Sequence, residues 1–151
     1  MYICSAFKVI LKIGKTHIIK GTMNKRAITN VIIKKVAVIA DLSISINTTV
    51  QMVSHTGHKR TFLGVCEDVP LWIGNVCVRT SFFVVEEADI LMILGVSFMV
   101  ESKRREEMRE DGVYENIMSS DGKYCVKFRG ISYKNTKNRI EKDIQRQYSK
   151  N

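Results

Sequence analysis

Only Gly74 and Asn75 separate Leu71-Trp72-Ile73 from Val76-Cys77-Val78, and a spacing that short folds two β-prone segments back on each other. Glycine supplies the positive φ that a two-residue hairpin turn demands. The same grammar governs most of the chain. Short runs rich in Val, Ile and Phe predict strands over 7–13, 16–20, 31–40, 61–66, 69–73, 76–79 and 81–85. Ile90 to Leu94 is a continuous apolar run ending at Gly95, the pattern of a strand buried on both faces. Ser97 then caps a predicted helix over 98–110. Val113–Met118 and Lys123–Phe128 flank Ser119-Ser120-Asp121-Gly122 as a C-terminal hairpin. Val38, Ile39, Leu63, Val65, Leu71, Ile73, Phe83, Val85, Ile93 and Leu94 are the expected core.

Composition narrows the class. With 151 residues, 45% hydrophobic and 26% charged, the chain suits one globular domain and is too apolar for a disordered one. Its apolar bursts are short: Val9-Ile10-Leu11 is broken by Lys8, Lys12 and Lys15. That argues against a membrane span or secretion signal, so a cytoplasmic or nuclear location is expected. Cys4, Cys66, Cys77 and Cys125 form no C-x-x-C pair, and His55 and His58 lack completing ligands. No metal or cofactor is expected, and the cysteines are expected to be reduced.

The net charge of +9 is uneven. Residues 101–121 hold four basic and seven acidic side chains, whereas 122–151 hold nine basic and two acidic. A basic C-terminal stretch predicts weak nucleic-acid binding through 122–151. Beyond Gly130 the sequence turns polar, with Ile140, Ile144 and Tyr148 at helical spacing. Residues 1–130 therefore read as the domain and 131–151 as a basic tail or linker, helical by that period.

Val36-Ala37-Val38-Ile39-Ala40-Asp41-Leu42-Ser43-Ile44-Ser45-Ile46-Asn47 resembles the apolar strand and D-[ST]-G-x-x-I-N loop of retropepsin-like aspartic proteases. Met52 to Pro70 is similar to the flap and following strand of such domains in fungal retrotransposon polyproteins, with Gly57 at the flap tip. Ile93-Leu94-Gly95 matches the hydrophobic-hydrophobic-Gly element that, in the family, packs behind the aspartate loop and leads into a helix. The resemblance covers about residues 30–130. It implies a mainly β fold: a closed retropepsin-like barrel half, a helix after the Ile-Leu-Gly strand and a C-terminal β-hairpin. It also implies a homodimer that supplies one aspartate per chain and acts on a peptide or polyprotein. The chemistry needs two carboxylates that share one proton and one water.

Asp41 is the catalytic candidate on this reading, with Leu42, Ser43 and Gly57 as the substrate-side residues. The pattern is broken, however. Leu42 stands in place of the family's hydroxyl residue, which grips the partner loop, and Ser43 in place of its glycine. Leu91 and Ser97 replace the usual Asp before and Pro after Ile-Leu-Gly. These departures imply a degenerate copy with low or no activity. An inactive dimerisation or interaction module and a basic nucleic-acid-associated protein are the alternatives.

Overall fold

The computed structural model describes residues 6–46, 51–53 and 59–129. Asn47, His55, Gly57, His58 and the tail 131–151 lie outside the described residues. Six strands close a barrel in the order β1 (Ala6–Ile13), β2 (His17–Asn24), β8 (Met92–Leu94), β3 (Val31–Ile33), β7 (Val76–Val85) and β6 (Gly64–Ile73). A short ribbon of β4 (Gln51–Val53) and β5 (Lys59–Thr61) stands apart. β9 (Arg105–Arg109), β10 (Gly112–Met118) and β11 (Cys125–Arg129) form a third sheet with β10 in the middle. The helices are α1 (Lys34–Ile39) and α2 (Val96–Glu101).

Alternation builds the barrel wall. In β7, Val76, Val78, Thr80, Phe82 and Val84 point inward and are buried. In β6 the register shifts between Cys66 and Val69, where Asp68 takes a left-handed φ of 53°. The bulge flips the parity, so Cys66 is inside before it and Val69, Leu71 and Ile73 after it. Of the expected core, Leu71, Ile73, Val85 and Leu94 are buried, whereas Leu63, Val65, Phe83 and Ile93 are only half-buried. Their neighbours Phe62, Phe82, Val84 and Met92 take the interior instead.

Three elements differ from expectation. The apolar run 90–94 is a strand only over Met92–Leu94, with Ile90 and Leu91 exposed and Ile93 half-buried, so it is not buried on both faces. The predicted strand 31–40 stops at Ile33 and continues as α1, leaving Val38 and Ile39 exposed (61% and 53%). Ile33, Val36 and Ala37 are buried at helical spacing, while Lys34 and Lys35 face out. Burial of that stripe overrides the β-propensity of Val36-Ala37-Val38-Ile39. The predicted helix 98–110 is likewise shorter and displaced. α2 ends at Glu101, and the charged run 105–109 is a strand paired with β10, making the C-terminal hairpin three-stranded.

That third sheet is two-faced. Glu106, Glu115 and Phe128 form one cross-strand row, and the inner face buries Ile117 and Phe128 in the same core as the barrel. On the outer face Glu107 pairs with Arg109 and Lys127, and Arg109 lies over the Tyr114 ring. Backbone bonds fasten the sheet to the end of α2 and to the barrel: Met118 N–H donates to Ser102 O (2.7 Å) and Ser120 N–H to Cys77 O on β7 (3.0 Å).

Candidate functional site: the loop between β2 and β3

β8 lies between β2 and β3, parallel to the first and antiparallel to the second. The connection 24–30 must therefore cross the end of β8, over Gly95. Four hydrogen bonds fix that crossing. Gly95 N–H donates to Asn30 Oδ1 (2.8 Å) and Val96 N–H to Ala27 O (2.8 Å). Ser97 donates to Ile28 O from both its N–H and its hydroxyl, each at 3.1 Å. The contact leaves no room for a side chain, since a Cβ on Gly95 would fall 2.5 Å from Thr29 O and 2.6 Å from Ala27 O.

Asn30, 1% exposed, ties the loop to the far wall. Its Nδ2 donates to Thr80 Oγ1 (2.7 Å) and Ser81 O (3.0 Å), and its carbonyl accepts from Phe83 N–H. Thr80 in turn donates to Glu101 on α2. At the loop's other end Asn24 Oδ1 accepts from Arg26 N–H (2.9 Å), an Asx turn that starts the crossing. Lys25 reaches out of the loop to Glu106 on β9 (2.5 Å). Burial raises the Glu106 carboxyl, but hydrogen bonds and charge from Lys25 and Arg104 outweigh it and hold the group below its ordinary value.

Ile93-Leu94-Gly95 thus packs behind the loop 24–30, not behind Asp41. Asp41 lies at the other end of the β1–β2 hairpin. A Cβ on Gly14, in the hairpin's turn, would be 3.0 Å from Ala40 O. The eight residues of β2 separate that turn from Asn24, roughly 23 Å of strand. Asp41 follows a helix, and its local bonding is that of a helix stop. Leu42 N–H donates to Ala37 O (2.9 Å) and Asp41 N–H to Val38 O (3.1 Å), with Asp41 left-handed at φ 56°. That pair of bonds is the Schellman ending, a place that favours glycine. Leu42 is half-buried against the core and Ser43 is exposed. Replacing Asp41 by glycine is expected to raise stability by about 0.5–1 kcal/mol, read from the urea midpoint. Destabilisation by the same substitution would show that the carboxylate has a structural partner.

Asp41 also borders an open trough of about 750 Å³ with Lys12, Lys15, His17, Trp72 and Arg79. A second hollow of about 420 Å³, reaching Tyr124, shares Trp72, Cys77 and Arg79 with it. Burial is the largest influence on the Cys77 thiol here and leaves its pKa raised.

The loop 24–30 escaped sequence reasoning because it contains no carboxylate. A signal was present nonetheless: Asn30 follows Asn24 by six residues, as Asn47 follows Asp41.

No protein-family model and no curated protein matches the chain. Among solved structures, the retroviral protease-like domain of Ddi1 from Leishmania major is similar, with a TM-score of 0.56 at 12% sequence identity. The match covers 72% of this chain and 86% of that one. A closed six-stranded barrel with β8 threaded between β2 and β3, and this neighbour, make the fold of the chain retropepsin-like.

Proposed function

We propose that this chain is a degenerate retropepsin-like domain of retroelement type, retained as a protein-interaction and self-association module without aspartic-peptidase chemistry. The observation that carries this reading is the docking of Gly95 behind the loop Asn24–Asn30. Against the family pattern D-[ST]-G-x-x-I-N, that loop reads Asn24-Lys25-Arg26-Ala27-Ile28-Thr29-Asn30. Asparagine stands for the aspartate, lysine for the hydroxyl residue and arginine for the glycine. An amide cannot act as the base or share a proton with a second carboxylate. For self-association the loop and α2 offer Ile28, Val96 and Val100, exposed at 75%, 38% and 69%.

Peptide cleavage at acidic pH tests the chemistry. No turnover is expected from the chain, and none is expected to be lost on Asp41→Ala. Acid cleavage that Asp41→Ala abolishes would sink this reading and restore Asp41 as catalyst.

The trough favours a second reading, weak binding of single-stranded nucleic acid. Tyr124 and the face of Trp72 not taken by Lys12, whose ammonium lies 5.2 Å over that ring, would stack on bases, and Lys12, Lys15 and Arg79 would meet phosphates. The facing acids are Asp41, Asp121, which already accepts from the Ser119 hydroxyl and Lys123 N–H, and Asp68, which pairs with Arg79 at 3.1 Å and would be exchanged for phosphate. Trp72 is the only tryptophan, so its fluorescence reports the site directly. An oligo(dT) titration is expected to quench it, with affinity falling steeply as salt rises. Binding that leaves Trp72 unquenched would place nucleic acid elsewhere on the chain.

A further inference from the structure

Four charges run in line from the loop 24–30 into the third sheet. Lys25 binds Glu106 (2.5 Å), Glu106 binds Arg104 (3.0 Å), and Arg104 holds Glu115 through two bonds of 2.5 and 2.6 Å. Exposure falls along the chain of charges, from 38% for the Lys25 side chain through 27% and 11% to 0% for Glu115. One end is anchored in packed interior and the other grips the loop. Eighty-one residues separate Lys25 from Glu106, so the bond closes a long-range contact that neither β2 nor β9 makes through its backbone.

We propose that the β9–β11 sheet is the loop's partner in cis: a clamp that holds Asn24–Asn30 shut through Lys25–Glu106. The inference rests on the reading of that loop as an interaction site. The sheet suits the task because its position does not depend on the bridge. Ile117 and Phe128 seat it in the core, and the bonds from Met118 and Ser120 fasten its far strands. Arg104 fixes Glu106 on an immobile base, so little side-chain freedom remains to be lost when Lys25 binds. The loop is otherwise tied at its Asn30 end and along Ala27–Ile28. Lys25 restrains the remaining segment, next to the exposed Ile28. Opening the bridge therefore frees the loop beside an apolar surface able to take another chain.

Lys25→Met, Glu106→Gln and the double variant test this in the full chain. The readouts are hydrogen exchange at the Arg26 and Ala27 amides, both bonded within the loop, and sedimentation over a concentration series. Exchange is expected to rise roughly threefold to tenfold in each single variant, with no further rise in the double, as one shared bond requires. Self-association is expected to strengthen in step. Unchanged exchange in both single variants, or additive effects in the double, would overturn the clamp. Faster exchange in variants that stay monomeric at every concentration would uphold the clamp and reject the self-association reading instead.

Discussion

Glu115→Ala is expected to destabilise the chain by about 3–5 kcal/mol, the usual cost of breaking a buried ion pair from one side. Glu115 is fully buried, and it accepts two bonds from Arg104, whose side chain is 11% exposed. Burial raises the Glu115 carboxyl above its ordinary value, and Arg104 pulls it back only in part. Burial also opposes the charge on Arg104, yet the bonds and charges of Glu115 and Glu106 together more than offset this, so the guanidinium stays protonated. Removing the carboxylate leaves that cation buried with Glu106 as its one acidic partner among the described residues. The double change Arg104→Met with Glu115→Leu removes both charges and restores apolar volume, so it should cost less than Glu115→Ala alone. Urea unfolding reads both, with an unchanged slope showing that only stability moved. A loss below about 1 kcal/mol for Glu115→Ala would mean that solvent reaches Arg104 and that the third sheet is loosely seated.

The barrel was legible in the sequence because its strands carry the signal themselves. Gly74-Asn75 announces the β6–β7 hairpin, and the run to Gly95 announces β8. Two local choices were decided instead by tertiary packing. Val36-Ala37-Val38-Ile39 has the composition of a strand, but Ile33, Val36 and Ala37 reach the core together only as a helix. Arg105-Glu106-Glu107-Met108-Arg109 has the composition of a helix. It becomes a strand because its inward partners are Lys25, Arg104 and β10 rather than an apolar face. Both helices end on a non-glycine residue in the left-handed region, Asp41 at φ 56° and Lys103 at φ 49°, where composition gives no stop signal.

The candidate site was hidden for a different reason. A search for an acid finds Asp41, whereas the topology presents a loop with amides, cations and no carboxylate. The insertion of β8 between β2 and β3 joins residues 60 to 71 positions apart, and no local pattern encodes that. The spacing from Asn24 to Asn30 acquires meaning only when Gly95 is seen beneath it.

Gly95→Ala is accordingly expected to do more damage than any other single methyl group added at this site. Gly95 has an extended backbone, φ −95° and ψ −163°, which any residue adopts without strain. The cost comes from space alone. The new Cβ would fall 2.5 Å from Thr29 O and 2.6 Å from Ala27 O, both backbone atoms, the second already accepting from Val96 N–H. A side chain could rotate away from such a contact, but these carbonyls can retreat only if the loop lifts off β8. Lifting it strains the bonds from Gly95 to Asn30 and from Val96 to Ala27, and through Asn30 it disturbs Thr80 and Ser81 on β7. A loss of about 3 kcal/mol or more is expected, at the upper end for overpacking because backbone must yield. Gly74→Ala is the control. Its Cβ would meet nothing within 4 Å, and only its φ of +60° resists substitution, so it should cost about 1 kcal/mol. The two urea midpoints decide the matter. Equal losses would show that the loop 24–30 yields freely above Gly95 and that the crossing is neither clamped nor close-packed.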